Sequence, residues 1–225
     1  MLWDSEGKAC DVVLIRDEDV TIPADRLVLG GHLTVPVTAS GIVVFVHGSG
    51  SSRHSPRNRL VAEVLNDAGL ATLLFDLLTP DEETDRANVF DIALLARRLG
   101  AATRWVRVEP EAPDLALGFF GASTGAAAAL WAAAGDRGVA AVVSRGGRPD
   151  LAGPRLEAVV APTLLIVGGR DETVLALNRE ARARLGGDTD LAVVPGATHL
   201  FEEPGRLQAA AELARDWLVR HLRGR

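Results

Sequence analysis

From Gly41 onward the chain alternates two rhythms, and no other feature narrows its fold as much. "GIVVFVHG" (41–48) is a continuous apolar run, the pattern of a strand buried on both faces. "RNRLVAEVLNDAG" (57–69) then sets Leu60, Val61, Val64, Leu65 and Ala68 on one helical face, and Gly69 stops it. The alternation continues with strands in "LATLLFD" (70–76), "LALGFFG" (115–121), "GVAAVVSRGG" (138–147), "PTLLIVGG" (162–169) and "TDLAVVPG" (189–196). Helices are predicted in "ANVFDIALLARRLGAATRWV" (87–106), with a break near Gly100, and in "STGAAAALWAAAG", "ETVLALNREARARLG" (172–186) and "RLQAAAELARDWLVRHLRG" (206–224). Short Gly- or Asp-bearing links between them predict a mostly parallel sheet covered by helices on both faces.

Before Pro36 the rhythm differs. "DVVLIRD", "VTIPAD" and "RLVLGGHLTVP" are short β-rich runs separated by Asp, Pro and Gly, as in antiparallel strands with tight turns. No internal repeat, low-complexity tract or second domain is evident, so residues 1–225 read as a single α/β domain. The two long connections, 77–87 and 107–114, are too short for a sizeable cap domain.

Composition limits the function classes. A net charge of −6 with no Lys/Arg stripe argues against a nucleic-acid partner. The single cysteine, Cys10, excludes an internal disulfide and a cysteine metal site, and reads as an idle or buried thiol. The N-terminal stretch lacks a basic region followed by a long apolar run, and no apolar run approaches the roughly 18 residues of a membrane span. The expectation is a cytoplasmic protein, monomer or homodimer, that does not engage a membrane.

In open α/β sheets ligands bind beyond the carboxyl ends of the parallel strands. The polar residues gather there: "HGSGSSRHS", Asp76, "GASTG", "SRGG", "GGRDE" and "PGATH". Gly121-Ala122-Ser123-Thr124-Gly125 fits G-x-S-x-G with a strand before it and a helix after it, the setting of a nucleophile elbow. Its small residues let strand and helix approach, and the helix N-terminus favours developing negative charge. The bland alternative is a turn in which Ser123 caps the helix.

A serine hydroxyl needs a base, and the base needs an orienting group. Two histidines follow Ser123. His221 lies in the last amphipathic helix beside Arg220 and Arg223, an ordinary solvated face. His199 follows the last strand in "VPGATHLF" and has both the order and the position of a base, against a plain loop histidine. Asp171, just beyond a strand in "GGRDETV", is the candidate acid, or the cap of the following helix, or both. Asp150 in "GRPDLAG" and Asp136 in "AAAGDRG" are its rivals. The oxyanion donors expected are the backbone N–H of Thr124 and that of Ser49, with Gly50 as the neighbour able to replace it. His47 is expected to brace this loop.

Taken together, "VHGSGSS…GASTG…GGRDETV…PGATHLF" resembles the α/β-hydrolase superfamily, and more narrowly the dienelactone hydrolase-like proteins, from about residue 12 to 222. The resemblance implies a mostly parallel central sheet with antiparallel N-terminal strands, helices on both faces and no cap domain. It also implies a triad of Ser123, Asp171 and His199 that cleaves a small ester or lactone through an acyl-enzyme, without metal or organic cofactor. Dienelactone hydrolases proper carry cysteine in the elbow. Serine here favours a carboxylesterase. Relatives are fused to phosphoribosyltransferase-like domains, and none is expected within these 225 residues.

Arg53 and Arg145 fall at predicted strand ends near the site. Either could hold a substrate carboxylate, or pair with Asp76, Asp81, Glu82 or Glu83 to organise loops. His54 could line the entrance or sit on the surface. The same triad could also serve a thioesterase, a peptidase or a perhydrolase, and the scaffold could be a non-catalytic binding module.

Overall fold

The computed structural model describes residues 12–109 and 114–223. Cys10 lies outside the described residues. Eight strands form one sheet: β1 (Leu14–Ala24), β2 (Leu27–Pro36), β3 (Gly41–Val46), β4 (Ala71–Phe75), β5 (Ala116–Ala122), β6 (Val139–Arg145), β7 (Thr163–Gly168) and β8 (Thr189–Val194). Their order across the sheet is β1-β2-β4-β3-β5-β6-β7-β8. β2 pairs antiparallel with β1 and β4, and all other pairs are parallel. The helices are α1 (Pro56–Asp67), α2 (Pro80–Glu83), α3 (Arg86–Phe90), α4 (Ile92–Val106), α5 (Thr124–Ala133), α6 (Glu172–Arg184) and α7 (Arg206–Leu222).

The continuous apolar runs are the central strands. Every residue of β3, β4, β6 and β7 is buried, because helices cover both faces. Side chains alternate between two cores with the strand period of two. Val44, Val46 and Phe119 face α4 and α5, whereas Val43, Phe45 and Phe120 face α1 and α7. Ala126 to Leu130 are fully buried, so the alanines of α5 let that helix lie close against the sheet. No helix among the described residues is long and apolar enough to cross a membrane.

Three features differ from the sequence reading. The two runs "DVVLIRD" and "VTIPAD" are not separate strands: Leu14–Ala24 is one strand, β1, with an irregularity between Leu14 and Arg16. Its acidic residues are exposed on an edge strand, where charge is tolerated. The helix expected over 87–106 breaks at Asp91 rather than near Gly100. Asp91 has φ −77° and ψ 87°, and its carboxylate accepts from the Leu94 amide at 2.9 Å to start α4. The β6–β7 crossover carries a 3-10 segment, Pro149–Ala158, interrupted at Gly153 (φ 56°) before Pro154. Its two prolines and that glycine erase the periodicity from which a helix is read. Of the two long connections, the first holds α2 and α3, and residues 110–113 of the second lie outside the described residues.

From β3 the chain moves to β4 on one side and then crosses to β5 on the other. This reversal opens a crevice at the carboxyl ends of β3 and β5. The loop after β3 and the turn after β5 meet there.

Candidate active site

Ser123 sits between β5 and α5 with φ 51° and ψ −122°, a conformation that costs a non-glycine residue about 1–3 kcal/mol. Neighbours hold it there. Its amide donates to the Arg145 carbonyl at 3.2 Å, and its carbonyl accepts from the amides of Ala126 (3.2 Å) and Arg148 (3.1 Å). Its side chain makes no capping bond to α5, so the hydroxyl is not spent on the helix. The flanking glycines are sterically required. A Cβ on Gly121 would lie 2.5 Å from Cα of Ala126, and one on Gly125 would sit on the backbone oxygens of Val46 and His47. Gly48 is close as well, since a Cβ there would lie 3.0 Å from Cβ of Ser123.

Asp171 occupies the start of α6, but its carboxylate does not cap that helix. Oδ2 lies 2.7 Å from Nδ1 of His199 instead. Asp171 is therefore a partner of His199 rather than a cap. The histidine loop is pressed against the ends of β6 and β7. A Cβ on Gly168 would lie 2.5 Å from the Ala197 carbonyl oxygen, and one on Gly146 would lie 3.2 Å from that of His199 and 3.6 Å from its ring. Gly146 follows Arg145, whose carbonyl holds the Ser123 amide, so the imidazole lies on the elbow's side of the sheet end. The remaining candidates are engaged elsewhere. Asp150 pairs bidentately with Arg148, Asp136 pairs with Arg107, and His221 packs on Trp217.

Glu203 is a residue that the motif reading did not single out. Both of its carboxylate oxygens lie 3.1 Å from the Thr198 amide, and they fasten the turn that presents His199. Hydrogen bonds from its own amide and then from Thr198 hold this carboxyl below the ordinary glutamate range. No turn motif in "THLFEEPG" singles it out, since Glu203 lies five residues beyond Thr198.

The loop after β3 is braced as expected. His47 is buried, its Nδ1 lies 3.0 Å from the Gly48 carbonyl, and its Nε2 accepts the Leu77 amide at 3.1 Å. An Nε2 that accepts and an Nδ1 that donates define a neutral ring, and burial depresses its pKa. The Ser49 amide donates to Oγ1 of Thr124 at 3.0 Å, a link from the β3 loop to the elbow that runs through a side chain. Gly50 turns the loop with φ 67°, and a Cβ there would meet open space. The cavity lined by His47, Ser49, Gly50 and Leu77 is about 20 Å³, room for a single water.

The two arginines part company. Arg53 pairs with Asp76 through its guanidinium and donates its amide to the same carboxylate at 2.8 Å, which ties the 47–56 loop to the end of β4. Arg145 is opposite Ala122 in the sheet and is buried, yet it has no carboxylate partner among the described residues. Its Nη2 lies 3.4 Å from Oδ1 of Asn58, its guanidinium is 5.8 Å from the centre of the Phe120 ring, and Nη1 has no partner among the described residues. Desolvation, helped by the charge of Arg57, pushes its pKa down to about 10. His54 contacts Arg59 at the surface, with Nδ1 3.1 Å from Nη2.

Known proteins resemble this chain in sequence and fold. A crystal structure of a dienelactone hydrolase from Anabaena variabilis ATCC 29413 superposes with a TM-score of 0.89 at 54% identity, covering 92% of this chain and 99% of that one. Est1E from Butyrivibrio proteoclasticus superposes with a TM-score of 0.77 at 16% identity, covering 90% and 98%, a likeness of fold alone. A Mycobacterium tuberculosis (strain ATCC 25618 / H37Rv) protein named "Putative phosphoribosyl transferase Rv0571c" is 64% identical over 211 residues, which are 93% of this chain and 48% of that protein. The chain thus spans about half the length of that relative. The family model for the dienelactone hydrolase family matches residues 29–222. A serine elbow, a histidine held by an aspartate in the expected chain order, and this match together place the chain in the dienelactone hydrolase family, as an α/β-hydrolase with a triad-like arrangement of Ser123, His199 and Asp171.

Proposed function

We propose that the chain cleaves small carboxylic esters or lactones through an acyl-enzyme on Ser123. The observation that carries this reading is the strained, uncapped Ser123 at the end of β5 together with a His199 held by Asp171 at 2.7 Å at the same end of the sheet. Asp171 accepts a hydrogen bond from Nδ1–H, which keeps the proton on Nδ1 and leaves Nε2 free to take the Ser123 proton as the hydroxyl attacks the acyl carbonyl. The new C–O bond forms while the carbonyl electrons move to oxygen. The amides of Thr124 and Ser49 receive that oxyanion. For Ser49 this requires its amide to turn from the Thr124 hydroxyl, or to be shared with it. Collapse of the adduct expels the alkoxide, which His199 protonates. Water, deprotonated by His199, then attacks the acyl-enzyme and returns Ser123 to its hydroxyl form.

Arg145 bears on the substrate class. A buried guanidinium without a carboxylate partner is costly, and an acid group on the substrate would offset that cost. We read this as support for substrates that carry a carboxylate. Arg53, engaged by Asp76, is read as a loop organiser.

A fluorophosphonate probe tests the nucleophile. Labelling of the wild type and none of Ser123→Ala supports the reading, and no labelling of either sinks it. A panel of matched ester, thioester and amide substrates then separates an esterase from a thioesterase or a peptidase on the same triad.

A further inference from the structure

A groove of about 350 Å³ lies between α4, α5 and the 3-10 segment. Trp131, in its wall, is two turns along α5 from Ser123, roughly 12 Å by helical rise. The groove is therefore separate from the elbow. Buried Phe119 and Ala96 form its apolar floor, and the exposed Arg97, Arg104, Arg107 and Arg155 form its rim.

The charges there are unbalanced. Arg107 pairs with Asp136 at 2.9 Å. Arg97, Arg104 and Arg155 have no carboxylate partner among the described residues. Arg155 lies over the Trp131 ring at 4.7 Å, which orients its guanidinium at the rim. Arg104 in the last turn of α4 and Arg107 at its C-cap are three apart, a spacing at which like charges repel. This local excess of positive charge occurs in a chain whose net charge is −6.

A second observation points the same way. Thr103 lines the groove, is 3% exposed, and its Oγ1 has no hydrogen-bond partner among the described residues. A buried hydroxyl without a partner costs free energy that a ligand acceptor would recover. Several guanidinia around one hollow match the three acceptor oxygens and the near-dianionic charge of a phosphate better than a single carboxylate. The apolar floor calls for a hydrophobic body attached to that anion, and the volume suits a small ligand.

We propose that this groove binds a small phosphate monoester carrying an apolar or aromatic group. The phosphate meets Arg97, Arg104 and Arg155, the organic group lies on the floor, and the Thr103 hydroxyl donates to the ligand.

Phenyl phosphate, inorganic phosphate and phenol are the probes, titrated calorimetrically into the full chain. Phenyl phosphate is expected to bind saturably to the wild type and equally well to Ser123→Ala. Inorganic phosphate and phenol are each expected to bind at least about tenfold more weakly, since each lacks one half of the recognition. Arg97→Gln/Arg104→Gln, at exposed positions, should weaken phenyl phosphate by about tenfold or more. Thr103→Val should weaken it about threefold. Hydrolysis of a neutral ester by the double arginine variant should match the wild type. The proposal is overturned if phenyl phosphate does not bind, if the double variant and Arg155→Gln both bind it as the wild type does, or if Ser123→Ala abolishes binding, which would place the ligand at the elbow.

Discussion

At the scale of the residue, the elbow works through what its neighbours lack. Gly125 has no room for a Cβ beneath the oxygens of Val46 and His47. Gly125→Ala should therefore destabilise the fold by about 1–3 kcal/mol or more, read as a lower urea midpoint. A wild-type midpoint would show that the β3 end yields freely. Asp171→Asn should be the converse case. The Asp171 side chain does not cap α6, so the fold should hold, while the imidazole loses its tautomer and kcat for ester hydrolysis falls by about 10⁴. An equal loss of melting temperature would instead mark Asp171 as structural. Thr124 links the elbow to the β3 loop through its hydroxyl. Thr124→Val should lower kcat by on the order of tenfold with little change in KM, and Thr124→Ser should restore most of it. A kcat unchanged by valine would mean that the Ser49 amide is positioned without that bond.

At the scale of the element, two histidines tie strands and loops with opposite responses to pH. His32 on β2 reaches Asp19 at 3.0 Å and Asp17 at 2.9 Å, both on β1, one through each ring nitrogen. Partial burial by itself would lower its pKa, but the hydrogen bonds to Asp19 and Asp17 outweigh that and raise it. A raised pKa in the fold gives stability that is fully present below the ordinary histidine value of about 6.5 and is lost as pH rises through the folded value. His47 has the reverse sign. Its pKa is depressed by burial, so its contribution is present above about 6.5 and declines as pH falls below that value. His32→Asn should therefore cost more stability at pH 5.5 than at pH 9, measured by urea unfolding at each pH. A cost independent of pH would mean that the His32 charge does not matter to the β1–β2 pair.

At the scale of the molecule, the order of the sheet decides the site. The reversal between β4 and β5 leaves the β3 loop free to meet the elbow, and the parallel run to β8 brings Asp171 and His199 to the same edge. Only short helices, α2 and α3, occupy the first long connection, and nothing the size of a cap is built from it. The cavity beside the loop after β3 holds about 20 Å³, so a long acyl chain finds no enclosed channel there. Acetyl and butyryl esters should be hydrolysed with higher kcat/KM than esters of twelve or more carbons. A preference for the long chains would show that an acyl channel forms on binding.

Much of this was legible along the chain. Apolar runs and helical spacing carry the strand and helix alternation, because burial on two faces or on one leaves its period in the residues themselves. The order of Ser123, Asp171 and His199, each just past a strand, carries the triad-like arrangement, because parallel strands deliver their carboxyl ends to one edge. Other features had no local signature. The spacing of 87–106 does not reveal whether the helix breaks at Gly100 or Asp91, since the choice rests on which side chain reaches the amide of Leu94. Nor does it reveal that Arg53 pairs with Asp76 while Arg145 is buried without a carboxylate, or that the Ser49 amide turns to the Thr124 hydroxyl. These are contacts between residues far apart in the chain, and only the packed sheet brings them within bonding distance.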